Sequence, residues 1–213
     1  MNPLKCAFRR FRVTLRKFMG FIVRQGGIEI DQAMVKAIQD MSPPKNVKEL
    51  RGLQVCLAYI KRFISNLASR CHPFSHLKKK GLPFEWDDSC QKAFDSIKRY
   101  LSNPPALGAP ILDKPFLLYI AAQEYLLGVL HPQENSKDTK KALYYLSHTL
   151  VGAELNYSPI EKMCLVLLFI VQNLRHYMYA HTVYVISKPN LVEYILLRLV
   201  LNEQLVKWVV ILE

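Results

Sequence analysis

From Ser158 to Tyr179 the chain carries a helix-length stretch that is apolar on most of its sides, through Met163, Leu165, Val166, Leu167, Phe169, Ile170 and Leu174. Ser158 fits the N-cap, and Pro159 fits the first helical position, where a missing N–H costs nothing. A helix over roughly 160–179 with so little polar surface has to be buried. Its longest unbroken apolar run, Met163 to Val171, is too short to span a bilayer, which takes about 20 residues. The rest of the chain must therefore cover it.

Short β-type runs flank that helix. Phe116–Ile120, Tyr125–Leu130 and Ala142–Leu146 read as three strands, the last two separated by the polar loop 133–141. Thr182–Ile186 reads as a fourth. The first three can pair antiparallel, whereas the fourth returns through a helix and so pairs parallel with one of them. Helical segments over Leu191–Leu199 and Glu203–Leu212 close the chain. The expected architecture here is a mixed sheet with helices on its faces, and the chain as a whole is α+β.

The first half has a different rhythm. Residues 18–31 read as a hairpin, with Gly26 and Gly27 supplying positive φ in the turn. Asp31 caps a short helix over 32–40 with Met34, Ala37, Ile38 and Met41 on its apolar side. After Ser42-Pro43-Pro44, Leu50, Leu53, Leu57, Ile60 and Ile64 predict one helix over 47–67. Lys48, Arg51, Lys61 and Arg62 fall off that stripe. A further helical stretch is predicted over 69–80. Asp87 or Asp88 caps a helix carrying Cys90, Phe94, Ile97 and Leu101, and prolines at 104, 105 and 110 mark a soft boundary near 105–114.

With 29 Lys and Arg against 17 Asp and Glu, the formal net charge is +12. The excess is concentrated in the first half and favours an anionic partner, nucleic acid first. Five cysteines without a CxxC pair fit neither a disulfide framework nor a zinc ribbon. Cys71-His72 with His76 offers ligand types for a metal, but no second ligand pair stands near them in sequence, so no metal site is assigned. No secretory signal leads into the first domain. The expected setting is intracellular, cytoplasm or nucleus, with no secretion and no membrane partner.

The order of motifs resembles the Pol polyprotein of gypsy-type LTR retrotransposons. Lys17-Phe18-Met19-Gly20-Phe21-Ile22-Val23 with Gly27-Ile28-Glu29-Ile30-Asp31 is similar to the primer-grip hairpin at the end of a reverse-transcriptase palm. Leu50-Arg51-Gly52 with Tyr59-Ile60-Lys61-Arg62-Phe63-Ile64 is similar to the first thumb helix. Pro83-Phe84-Glu85-Trp86 with Ala93-Phe94 resembles the link out of the thumb. Leu146-Ser147-His148-Thr149-Leu150 and Ala153 to Lys162 resemble the approach to the central helix of an RNase H-like fold. The resemblance implies a palm end with its hairpin over 1–41, a helical thumb and link over 42–104, and a C-terminally truncated RNase H-like connection or tether over 105–213. It also implies nucleic-acid contacts from Lys17, Phe18, Met19, Gly20, Lys48, Arg51, Lys61 and Arg62, with an RNA–DNA hybrid or another nucleic acid, and the remaining Pol domains, as partners.

RNase H cleavage uses two Mg²⁺ ions held by converging carboxylates. Placed on the family pattern, the three carboxylate slots within this chain hold Ala121, Met163 and Ser187. The fourth would lie beyond Glu213, and the polymerase aspartates would lie upstream. Glu161 is the residual candidate ligand; its other reading is a first-turn acid that favours the helix dipole. Glu124, by the same register, falls in a turn. The thumb-helix glycine that lets backbone approach a minor groove falls on Val55.

Three readings follow. The first is a Pol fragment without catalytic residues or cofactor, acting as a nucleic-acid or scaffold surface. The second is an active RNA–DNA hybrid ribonuclease with a non-standard Mg²⁺ site. The third is a pseudogene product without activity.

Overall fold

The computed structural model describes residues 16–18, 20–24, 26–78, 83–111, 114–122, 125–132 and 142–187. Met19, Glu124, the basic cluster over 9–12, the loop 133–141 and the expected helices 191–199 and 203–212 lie outside them.

The first sheet has four antiparallel strands in the order β1 (Arg16–Phe18), β2 (Phe21–Arg24), β3 (Gly27–Ile30) and β4 (Leu107–Gly108). The expected hairpin is β2–β3, extended by a strand on each side. Positive φ falls on Gly27 (+145°) and, at the β1–β2 turn, on Gly20 (+70°), not on Gly26. Gly27 also has no room for a side chain: a Cβ there would sit 1.9 Å from the Leu107 carbonyl oxygen.

α1 (Gln32–Gln39) starts at Asp31, whose carboxylate accepts from the Ala33 N–H. Its buried residues are Val35 and Ile38, while Ala37 faces solvent. α2 (Val47–Tyr59) is capped by Asn46. The expected continuation to residue 67 does not occur. A 3₁₀ turn spans Lys61–Phe63, Asn66 takes left-handed φ of 53°, α3 covers only Leu67–Cys71, and a second 3₁₀ stretch covers His72–Lys78. Ile60, Phe63 and Ile64 are all buried, so the apolar rhythm survives the break. The Tyr100 hydroxyl, reaching over from the next helix, donates to the Phe63 carbonyl and accepts from the Ser65 N–H. These bonds satisfy backbone groups that a continuous helix would have paired internally. That next helix, α4 (Asp88–Leu101), buries Cys90, Phe94, Ile97 and Leu101 as the spacing predicts.

The second sheet contains β5 (Phe116–Ala122), β6 (Tyr125–Pro132), β7 (Tyr144–Thr149) and β8 (Val183–Ile186), in the order β7-β6-β5-β8. The first three pair antiparallel and β8 pairs parallel with β5, as the crossover predicts. β7 starts two residues later than expected and runs through Thr149. Ala142 instead contributes to the first core, and its carbonyl accepts from the Gly108 N–H at 2.8 Å.

α5 (Pro159–Ala180) carries the Ser158–Glu161 capping box and Pro159 at its start. It lies across β5 and β6, and leaves helical geometry briefly at Leu174. At Gly128 it packs tightly on the sheet, where a Cβ would fall 2.5 Å from Ile170 Cδ1.

Two cores result. One joins β3, α1, α2, the 3₁₀ segments and α4; the other fills the space between the second sheet and α5. Val129 and Tyr145 of the second sheet pack on the first core, and the Ala68 N–H donates to Ser147 Oγ at 3.0 Å. The two units thus share a packed seam.

Candidate nucleic-acid interface

The hairpin arrives at α2 through aromatic packing. Phe21 on β2 stacks on Tyr59 with ring centroids 5.1 Å apart, and on Phe63 at 5.5 Å. Gly20 lies directly above: a Cβ there would sit 3.5 Å from the Tyr59 ring. The Asp31 N–H donates to the Gly20 carbonyl at 2.9 Å, closing the turn onto the start of α1. Lys17 on β1 is exposed and ion-paired with Asp31. The Asp31 carboxyl is held below its ordinary value, first by the hydrogen bond from Lys17 and next by the Ala33 N–H. Phe18 places its backbone beside Phe21 at the β1–β2 turn. Met19 lies outside the described residues.

The solvent face of α2 continues this surface. Lys48, Arg51, Gly52, Val55 and Tyr59 recur at three- and four-residue spacing and all are exposed. Val55 is 70% exposed and Gly52 has open space above it. Among the described residues Lys48, Arg51 and Lys61 make no salt bridge. The face is therefore cationic at one end and apolar at the other, with no carboxylate bound to its cations.

Arg62 is placed differently from the other basic residues. It is half-buried, with its guanidinium 5.0 Å from the Phe21 ring centroid and 5.2 Å from that of Phe63. Its Nε is buried and has no hydrogen-bond partner among the described residues. Arg62 acts as a cation–π clamp under the hairpin, and sequence periodicity alone cannot distinguish that from an exposed basic residue.

Ala121, Met163 and Ser187, the positions at which the sequence resemblance places the carboxylate slots, carry no carboxylate. β8 runs parallel to β5 with Ile186, the residue before Ser187, opposite Tyr119. Ala121 is exposed at the end of β5. Met163 is only 6% exposed and packs in the second core. Glu161 is engaged at the helix start: its Oε2 accepts from the Ser158 N–H at 2.8 Å, and Ser158 Oγ accepts from the Glu161 N–H. This is the first-turn role, with a reciprocal cap added.

Sequence reading alone missed two features. One is a cleft of about 390 Å³ in the seam, lined in part by Lys61, Ala68, Tyr145, Ser147, His148 and Phe169. The other is a group of three side chains, His76, Asp87 and Cys90, whose ligand-type atoms lie within 4.8 Å of one another. Cys71 and His72 are not in that group. Both features join residues from separate elements, so no local motif marks them.

Residues 86–185 match the family described as an RNase H-like domain found in reverse transcriptase. The chain is similar to the retrovirus-related Pol polyprotein from transposon opus of Drosophila melanogaster, at 30% identity over 93% of this chain. It is also similar to the transposon Tf2-3 polyprotein of Schizosaccharomyces pombe, at 29% identity over 84% of this chain. It spans only 21% of the first and 13% of the second. Among solved structures, the foamy viral protease-reverse transcriptase in complex with dsDNA matches with a TM-score of 0.77, at 19% identity over 93% of this chain and 43% of that one. The same enzyme in complex with RNA/DNA hybrid matches at 0.75, with 20% identity over 93% of this chain and 28% of that one. These likenesses establish a shared reverse transcriptase and RNase H-like fold. Over residues 86–185 the chain carries the RNase H-like domain found in reverse transcriptase, and along most of its length it is similar to retrotransposon Pol polyproteins.

Proposed function

We propose that this chain is the palm-end, thumb and connection portion of a Pol polyprotein, without catalytic activity of its own, and that it holds an RNA–DNA hybrid. The division follows the sequence expectation: palm end over 1–41, thumb and link over 42–104, connection over 105–213. The observation that carries the reading is the continuous surface from Gly20 through Tyr59 to Arg51 and Lys48. It pairs cations, free of salt bridges among the described residues, with exposed Val55 and Tyr59. Such a surface suits a phosphate backbone flanked by sugars. The foamy viral enzymes of similar fold were solved with dsDNA and with RNA/DNA hybrid, which supports nucleic acid as the ligand here. Further Pol domains are the expected protein partners, and an intracellular setting follows from that assignment.

The absence of catalysis is argued from side-chain chemistry. Alanine, methionine and serine at 121, 163 and 187 supply no anionic oxygen, and Glu161 is committed to its cap. A two-metal site needs several carboxylates at one point. No cofactor is assigned.

Purified protein is assayed by gel shift on a labelled RNA–DNA hybrid, and for cleavage in Mg²⁺ and then Mn²⁺. The expected result is salt-sensitive binding without cleavage. Metal-dependent cleavage abolished by Glu161→Gln would revive the nuclease reading. Absence of binding at low salt would remove the nucleic-acid role.

A further inference from the structure

We propose that His76, Asp87 and Cys90 form a binding site for a Zn²⁺-class transition metal, which staples the 3₁₀ segment His72–Lys78 to the start of α4. The three residues supply one imidazole, one carboxylate and one sulfur, all within 4.8 Å of one another. A tetrahedral zinc with bonds of about 2.0–2.3 Å separates its ligand atoms by roughly 3.3–3.8 Å. His76 Nε2 already stands 3.9 Å from Asp87 Oδ2. Modest rotation of the His76 side chain, which is 44% exposed, brings the set to that spacing.

Asp87 Oδ1 caps α4 by accepting from the Cys90 N–H at 2.8 Å, while Oδ2, which accepts from the rotatable Ser89 hydroxyl at 3.0 Å, faces His76 and keeps a second lone pair for a metal. The cap and the metal bond therefore use different atoms. Asp87 and Cys90 are three residues apart across the first turn of the helix, which fixes them relative to each other.

The surroundings have the asymmetry of a metal pocket. Cys90 is fully buried at the back, where its thiol donates to the Pro73 carbonyl. Phe74, stacked on Trp86, and Phe94, edge-on to Trp86, form an apolar wall beside it. The Trp86 indole N–H is held by Gln91 at 2.9 Å. His76 and Asp87 form the exposed front, so an ion enters from solvent. Sulfur and imidazole select a borderline-soft ion over Mg²⁺ or Ca²⁺. Binding releases the thiol proton to water, and a water completes the tetrahedron.

The test titrates the purified full chain with Co²⁺ as a spectroscopic stand-in for Zn²⁺. The expected result is a sulfur-to-cobalt charge-transfer band that saturates at one equivalent and is displaced by Zn²⁺. Cys90→Ser abolishes the band. His76→Gln, a change on a half-exposed side chain that leaves the core intact, weakens the titration and abolishes the Zn²⁺-induced rise in melting temperature. A wild-type protein without a charge-transfer band at excess Co²⁺ overturns the proposal, as does a band that persists unchanged in Cys90→Ser. These readouts require no nucleic acid, so they stand or fall separately from hybrid binding.

Discussion

Tyr59, the last residue of α2, stacks on Phe21 of β2 with the two ring planes 8° from parallel. Phe21 in turn lies on Phe63, with the Arg62 guanidinium over both phenylalanine rings. This stack makes the hairpin and the helix one surface rather than two elements joined by a linker. The orientation of the β1–β2 turn relative to the cations of α2 depends on it.

Tyr59→Ala should cost about 1–2 kcal/mol, the range of an aromatic pair plus part of a ring's burial. Tyr59→Phe keeps the stack and should lose much less. Urea denaturation separates the two variants. If hybrid binding uses the joined surface, Tyr59→Ala also weakens the gel shift, whereas Tyr59→Phe retains most of it.

Lys48 and Arg51 lie on the exposed face of α2 with no salt bridge to another described residue. Each removed phosphate contact lowers the slope of log affinity against log salt by about 0.7–0.9. Lys48→Ala and Arg51→Ala should each reduce the slope by that amount, with little change in melting temperature. Val55→Gly on the same face tests the steric side. It should lower helix stability by about 0.2–0.5 kcal/mol while tightening binding, if the exposed side chain holds the backbone off a nucleic-acid groove. Unchanged slopes in both lysine and arginine variants would place the nucleic acid elsewhere.

Gly128 sits under α5, where the added methyl of Gly128→Ala would overlap Ile170 Cδ1 and Cγ1. Overpacking of this kind costs about 1–3 kcal/mol. Ile170→Val removes the Cδ1 atom, so the double variant should recover part of the loss. Denaturant midpoints for both singles and the double form a cycle. A cost that simply adds would mean that the helix shifts away from the sheet rather than clashing with it.

Asp31 carries the acid dependence of the hairpin. Its folded-state carboxyl lies below the ordinary 3.8, held there by Lys17 and the Ala33 N–H. A depressed pKa stabilises the fold above the unfolded value, and that contribution is lost as pH falls through the folded value. Asp31→Asn keeps a capping oxygen but removes the titration. Its melting temperature should fall less than that of the wild type between about pH 5 and pH 2. Lys17→Ala should raise the Asp31 midpoint in an NMR titration. An unmoved midpoint would show that the ion pair contributes little in solution.

Periodicity and capping were sufficient for the starts of α1 and α5 and for the buried face of α4. Ser158-Pro159 marks the start of α5, Asp31 that of α1, and Cys90, Phe94, Ile97 and Leu101 give the buried face of α4. The parallel return of β8 followed from connection length and handedness. The end of α2 was not readable, because Ile60 and Ile64 continue the apolar rhythm past the break. The start of β7 was misplaced for a similar reason: Ala142 is apolar and buried, but in the other core.

The sequence by itself determined the charge and the starts and buried faces of the regular helices, since each of these is local or a matter of composition. Only the tertiary structure decided which side chains meet. Phe21 reaches Tyr59 across 38 residues, Tyr100 completes the backbone at Phe63, Arg62 turns inward under the hairpin, and His76 finds Asp87 and Cys90. Those meetings follow from how two cores close around a shared seam, and the free energy of that closure is spread over contacts distant in the chain.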